Sequence, residues 1–84
     1  MDALDALSKA ITKSGEGTRK LSSALGKSDG YISATIAQSR RKGGGLHSAT
    51  LASVADVCGY SLALVPHDTV PPDALVIDPP PREG

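Results

Sequence analysis

Eighty-four residues with no Trp, no Phe and only two Tyr make one small domain whose core must be built from Leu, Ile, Val and Ala. A chain of this size buries only ~60–65% of the surface its unfolded form exposes, so a partner subunit is a natural supplement. The formal net charge is zero, yet residues 13–47 hold seven basic against two acidic residues, while residues 1–12 and 48–84 carry net charges of −1 and −4. Sign segregation of that kind points to a polyanionic partner for the middle of the chain. The lone Cys58 excludes an intrachain disulfide and a cysteine zinc cluster, which fits a reducing cytoplasm. Neither the acid-bearing opening "MDALDALSKA" nor the short apolar runs 62–65 and 74–77 read as a secretory signal or a bilayer span.

Residues 2–14 read as a first helix, with Leu4, Leu7, Ala10 and Ile11 at helical spacing and Asp2 and Asp5 at the positive end of its dipole. "SGEG" stops it. Thr18 is placed to cap a second helix, in which Leu21 and Leu25 share a face before Gly26 ends it. Ser28 is placed to cap a third helix over roughly 29–39, with Ile32 and Ile36 one turn apart. "RRKGGG" is a basic loop. Ser48 is placed to cap a fourth helix with the stripe Leu51, Val54, Ala55 and Cys58, closed by Gly59. Beyond it the period changes: "YSLALV" and "ALVI" are strand candidates bounded by prolines. The expected organisation is a helical domain over 1–60, a strand segment over 61–78 and a flexible tail over 79–84.

Familiar catalytic and ligand patterns do not fit. "GKS" is not a phosphate loop, because Leu21 stands where the first glycine should fall and no strand precedes it. His47 and His67 lack a partner at metal-ligand spacing, and no nucleophile elbow exists. An enzyme, a cofactor and a metal are not expected. The pattern that remains is two short helices across a tight corner, the layout of a helix-turn-helix. On a wheel centred between Ile32 and Ile36 the outward positions are Gly30, Tyr31, Ala34, Ala37, Gln38 and Arg41. Small residues there suit a face that enters a groove better than one facing solvent; a helix packed on both sides is the alternative.

Residues 18–65 resemble the lambda-repressor-like helix-turn-helix family, which takes in phage repressors and Cro and the xenobiotic-response-element group of bacterial regulators. The matching residues are Leu21, the small Ser22, Leu25, the corner Gly26, Ser28 and Ile32, then Leu51, Val54, Ala55 and "CGYSLALV". This sequence departs from the family in placing Ser22 where alanine is usual, and Thr35 where an aliphatic residue is usual. The resemblance implies a mainly α fold of four to five helices with one or two short C-terminal strands pairing across a dimer. It puts Ser28, Asp29, Gly30, Tyr31 and Ala34 at the major-groove face, Thr18 and Arg19 on phosphate, and Lys27, Arg40, Arg41 and Lys42 on the backbone to either side. Physically, the cations supply affinity that falls with salt, since each neutralised phosphate releases counterions. Asp29 is able to accept from cytosine N4 or simply to favour its helix N-terminus; Gln38 suits adenine and the Ala34 methyl suits thymine.

Leu62 and Leu64 alternate onto one face of the C-terminal segment, and Val65, Leu75 and Ile77 extend the apolar set. Strand pairing across a two-fold axis would set the recognition helices about 34 Å apart, one turn of duplex. An intrachain hairpin between 61–65 and 74–77 is the alternative, and both fit one four-stranded dimer sheet. The expected function is that of a homodimeric, sequence-specific transcriptional regulator, a repressor on a palindromic operator in the bacterial or phage-infected cytoplasm. The alternative expectation is an antitoxin that holds a toxin protein through its C-terminal segment and autoregulates its operon. No membrane partner is expected.

Overall fold

The computed structural model describes residues 1–43 and 45–79 and is mainly α. Four helices follow in order: α1 (Ala3–Ser14), α2 (Thr18–Ala24), α3 (Tyr31–Arg41) and α4 (Ser48–Val57), with a 3-10 turn at His67–Thr69. The Asp2 carboxylate accepts the Asp5 amide at 2.8 Å and so caps α1, satisfying one of the donors that every helix start leaves open. None of the three hydroxyl residues expected to cap the later helices does so. Gly17, Gly30 and His47 hold the N-cap positions of α2, α3 and α4 without side-chain cap bonds. Thr18 and Ser48 are already the first helical residues, and Ser28 contributes only its carbonyl, which accepts the Tyr31 amide at 3.0 Å. The corner between α2 and α3 is therefore six residues, 25–30, wider than the spacing of Gly26 and Ser28 predicts. α3 also runs two residues past its expected end.

Two helix ends are closed by the same device. At the end of α2 the Lys27 amide donates to the Ser22 carbonyl (3.0 Å) and the Gly26 amide to the Ser23 carbonyl (2.9 Å). At the end of α4 the Tyr60 amide donates to Ala55 (2.9 Å) and the Gly59 amide to Asp56 (3.0 Å). Both loops need one residue at positive φ, and Gly26 (φ 71°) and Gly59 (φ 88°) supply it without a β-carbon penalty. The glycine stops read from the sequence thus have this physical cause.

Packing follows the apolar stripes. α2 lies on α3 and α1 on α4, with further contacts of α1 to α3 and α2 to α4. One cluster joins all four through Leu7, Ala10, Leu21, Ile32, Leu51, Val54 and Cys58, with Ile11, Leu25, Ile36 and Tyr60 half-buried around it. Ile32 and Val54 are each 1% exposed. Such a core is small in side-chain volume, as the absence of Trp and Phe requires. α3 also buries Ser39, seven positions after Ile32, which extends its inward stripe beyond Ile36.

Among the described residues there is no strand, which corrects the expectation for 61–65 and 74–77 within a single chain. The five residues 61–65 make no backbone–backbone hydrogen bond to another described residue. Leu62, Leu64 and Val65 are exposed, Leu64 completely so, and Ile77 is exposed as well; only Leu75 of the expected set is half-buried against the core. The physical reason is that a ladder needs a second strand in register, and Pro66, Pro71 and Pro72 remove donors from the connection that would bring 74–77 back. Residues 80–84 of the expected tail lie outside the described residues.

Replacing Ile32 with Ala should cost about 2–5 kcal/mol in urea unfolding, because a fully buried side chain leaves a cavity at the four-helix junction; a cost below about 1 kcal/mol would show that the junction is not the core. Burial pushes the Cys58 thiol above its ordinary value of 9.0. The folded state then keeps a proton that the unfolded chain gives up, so this contribution is present below that value and is lost as pH rises through and beyond it. The urea midpoint should fall more between pH 7.5 and pH 10 for the unaltered chain than for Cys58→Ala, and equal slopes would contradict the burial.

Candidate nucleic-acid interface

The first four residues of the expected reading face lie at the corner and the start of α3. Ser28, Asp29 and Gly30 are exposed, and a β-carbon built at Gly30 meets nothing within 4 Å. Ala34, Ala37 and Gln38 are exposed on the helix itself, opposite the fully buried Ile32. Tyr31 is half-buried instead, and the Lys27 ammonium stands over its ring at 5.5 Å from the centroid. That contact steadies one of the expected phosphate cations on an aromatic face. α3 thus presents a low surface of glycine, alanine and one glutamine, with a ring at one end. The helix is not packed on both sides, which was the alternative that the sequence left open.

The cations bracket that surface. Lys27 lies before the helix, whereas Arg40, Arg41 and Lys42 cluster at its end, and an eleven-residue helix is ~16 Å long. Arg40, Arg41 and Lys42 are exposed and make no ion pair among the described residues. Arg40 and Arg41 also sit in the last turn of α3, where positive charge is favoured by the helix dipole. This stabilises the helix by a few tenths of a kcal/mol at an exposed position and does not use up the outer hydrogen-bonding capacity of the guanidinium groups.

Two of the expected phosphate contacts have partners inside the chain. The Arg19 guanidinium bonds the Asp29 carboxylate at 3.1 Å, and the Thr18 hydroxyl is 3.2 Å from that of Ser33. The Thr18–Ser33 contact ties α2 to α3, and the Arg19–Asp29 pair ties α2 to the corner before α3. Arg19 and Asp29 are largely exposed, so their pair is worth under about 1 kcal/mol and opens readily in favour of a stronger anion. Asp29 accordingly serves first to hold Arg19. The sequence reading missed the Thr18–Ser33 and Arg19–Asp29 links, since nothing in the spacing of 15 and 10 residues marks them.

A third link lies beneath these two. Ser22 is fully buried, at 0% exposure, and its Oγ accepts the Ile32 amide at 3.1 Å. The sequence did hold a signal for it: a hydroxyl at a buried small-residue position on the first helix needs a partner. The remaining expected residues lie elsewhere. Leu62, Leu64, Val65, Leu75 and Ile77 lie on the C-terminal segment, and a groove of about 760 Å³ separates this segment from α1 and α4, with Leu7, Ala10, Leu51 and Ala55 on the helical side. Among the described residues, no group of His, Cys, Asp and Glu is arranged to hold a metal ion and no helix is long and apolar enough to cross a membrane. No known family model matches the chain, and neither a curated protein nor a solved structure does.

Proposed function

We propose that this chain is a sequence-specific DNA-binding regulator of the lambda-repressor-like kind, acting as a homodimer that occludes a promoter. One observation carries the reading: the face of α3 opposite Ile32 is made of exposed Gly30, Ala34, Ala37 and Gln38 and is bracketed by Lys27 at one end and Arg40, Arg41 and Lys42 at the other. Glycine and alanine on that face suit a helix that enters a major groove, because small side chains let its backbone approach the base edges. In this reading Gln38 pairs with adenine, the Ala34 methyl meets thymine, Ser28 hydrogen-bonds at the groove edge, and the four cations hold the phosphates on either side. Asp29 stays with Arg19 until phosphate competes for it.

The dimer is supported by the C-terminal segment. Its large aliphatic residues Leu62, Leu64, Val65, Val70, Val76 and Ile77 are exposed, with only Leu75 half-buried, and the amides and carbonyls of 61–65 lack backbone partners among the described residues. Pairing 61–65 with its two-fold mate gives those groups a ladder and covers apolar surface in one step. A second reading takes the same segment as the seat of another protein, in the manner of an antitoxin. A purified chain that sediments as a monomer would favour this second reading, and a dimer the first.

The test is an unbiased selection of DNA duplexes by the purified chain, followed by binding of the winner across salt. An inverted repeat should emerge. Six to eight phosphates neutralised per dimer give a slope of log affinity against log salt of about −5 to −7, and replacing Arg40, Arg41 and Lys42 with Ala should remove more than half of it. Failure to enrich any motif, or a salt-independent affinity, would remove the proposal.

A further inference from the structure

α3 starts without a cap of its own. Gly30, at the N-cap, has no side chain, Ser28 lends only a carbonyl, and the Asp29 carboxylate is bonded to Arg19. The amide of Ile32, in the first turn, is nevertheless satisfied, by a hydroxyl ten residues earlier on another helix. We propose that Ser22 is the positioning residue of α3: its Oγ caps the helix from α2, fixes the angle between the two helices, and leaves Ser28 and Gly30 free of any capping duty at the helix start.

The geometry is restrictive. The bond lies where Ser22 is 0% and Ile32 1% exposed, so water cannot replace the lost partner if the helices shift. A buried amide left without an acceptor carries its full desolvation penalty, whereas a well-made bond tolerates little change in distance or angle. Leu21 and Ile32 would still attract one another over a range of tilts, since apolar contact is non-directional. The hydroxyl selects one of them. The outer links, Thr18 to Ser33 and Arg19 to Asp29, act at the exposed rim of the same corner, where water and ions compete for both. A local cap at position 28 or 30 would meet the same need, but it would place a polar side chain across the open space in front of Gly30. Capping from α2 keeps that space clear.

The functional half of this inference rests on the DNA-binding reading; the capping half does not. In Ser22→Ala, amide hydrogen exchange should show Ile32 losing about 10- to 100-fold protection beyond any loss at Val54. Affinity for the selected duplex, corrected for the folded fraction, should fall about tenfold or more with the salt slope unchanged, because the phosphate cations remain. The double variant Ser22→Ala/Gly30→Asp supplies a local cap and keeps the test alive if the single variant unfolds. It should regain the fold without regaining affinity. The inference is overturned if Ile32 and Val54 lose protection equally, if corrected affinity survives in Ser22→Ala, or if the double variant binds as well as the unaltered chain. A chain that binds no duplex at all would remove the DNA reading alone, and selective loss at Ile32 would still establish Ser22 as the cap.

Discussion

The hydrogen bond from the Ile32 amide to the Ser22 hydroxyl sits where two requirements meet. The core needs Ile32 inside, against Leu21, Leu7 and Val54, and α3 needs its first-turn amides paired before it is stable. One oxygen on α2 serves both. Because the bond is buried, it sets how α3 leans on α2, and therefore which residues of α3 face outward. Gly30, Ala34, Ala37 and Gln38 are the outward set, and the candidate interface is the consequence of that lean. The Gly-closed end of α2 acts on the same corner from outside: the loop at Gly26 turns the chain out of α2 so that Lys27 reaches the Tyr31 ring.

The helices were legible because each carries a stripe and a stop. Leu4, Leu7 and Ala10, then Leu21, Ile32, Leu51 and Val54, recur at spacings that only a helix puts on one side, and all are buried. Glycine stops were legible for the same local reason. The starts were not. Thr18, Ser28 and Ser48 each satisfy the usual preference for a capping hydroxyl, yet tertiary bonds or register moved the cap elsewhere: Thr18 turns to Ser33, and α3 takes its acceptor from Ser22. Capping preference is a local rule, and these bonds span 15 and 10 residues. Ser39 was readable as a buried position from its seven-residue offset to Ile32, but a serine draws less notice on an inward stripe than an aliphatic residue would.

The C-terminal segment marks the other limit. Alternation in "SLALV" reads as a strand, but a strand needs a second one beside it; in one chain residues 61–65 form no ladder and their aliphatic side chains are exposed. Sequence periodicity states what a segment is fit for, while the ladder depends on what lies next to it. The candidate site was legible in part. The small outward residues and the bracketing cations sit where the wheel puts them. Arg19, Asp29 and Thr18, by contrast, were assigned to an external ligand and are engaged inside the chain, Arg19 with Asp29 and Thr18 with Ser33 of α3.

The central claim is that the outward face of α3 and the cations at its ends meet duplex DNA. Titrating a short duplex carrying the selected repeat into isotopically labelled chain, and following every amide by NMR, tests it most directly. The account predicts that the largest changes fall on residues 28–34, on the Gln38 side-chain amide and on Arg40–Lys42, with Leu7 and Val54 in the core unmoved. Changes confined to residues 61–79, or none at low salt, would contradict it.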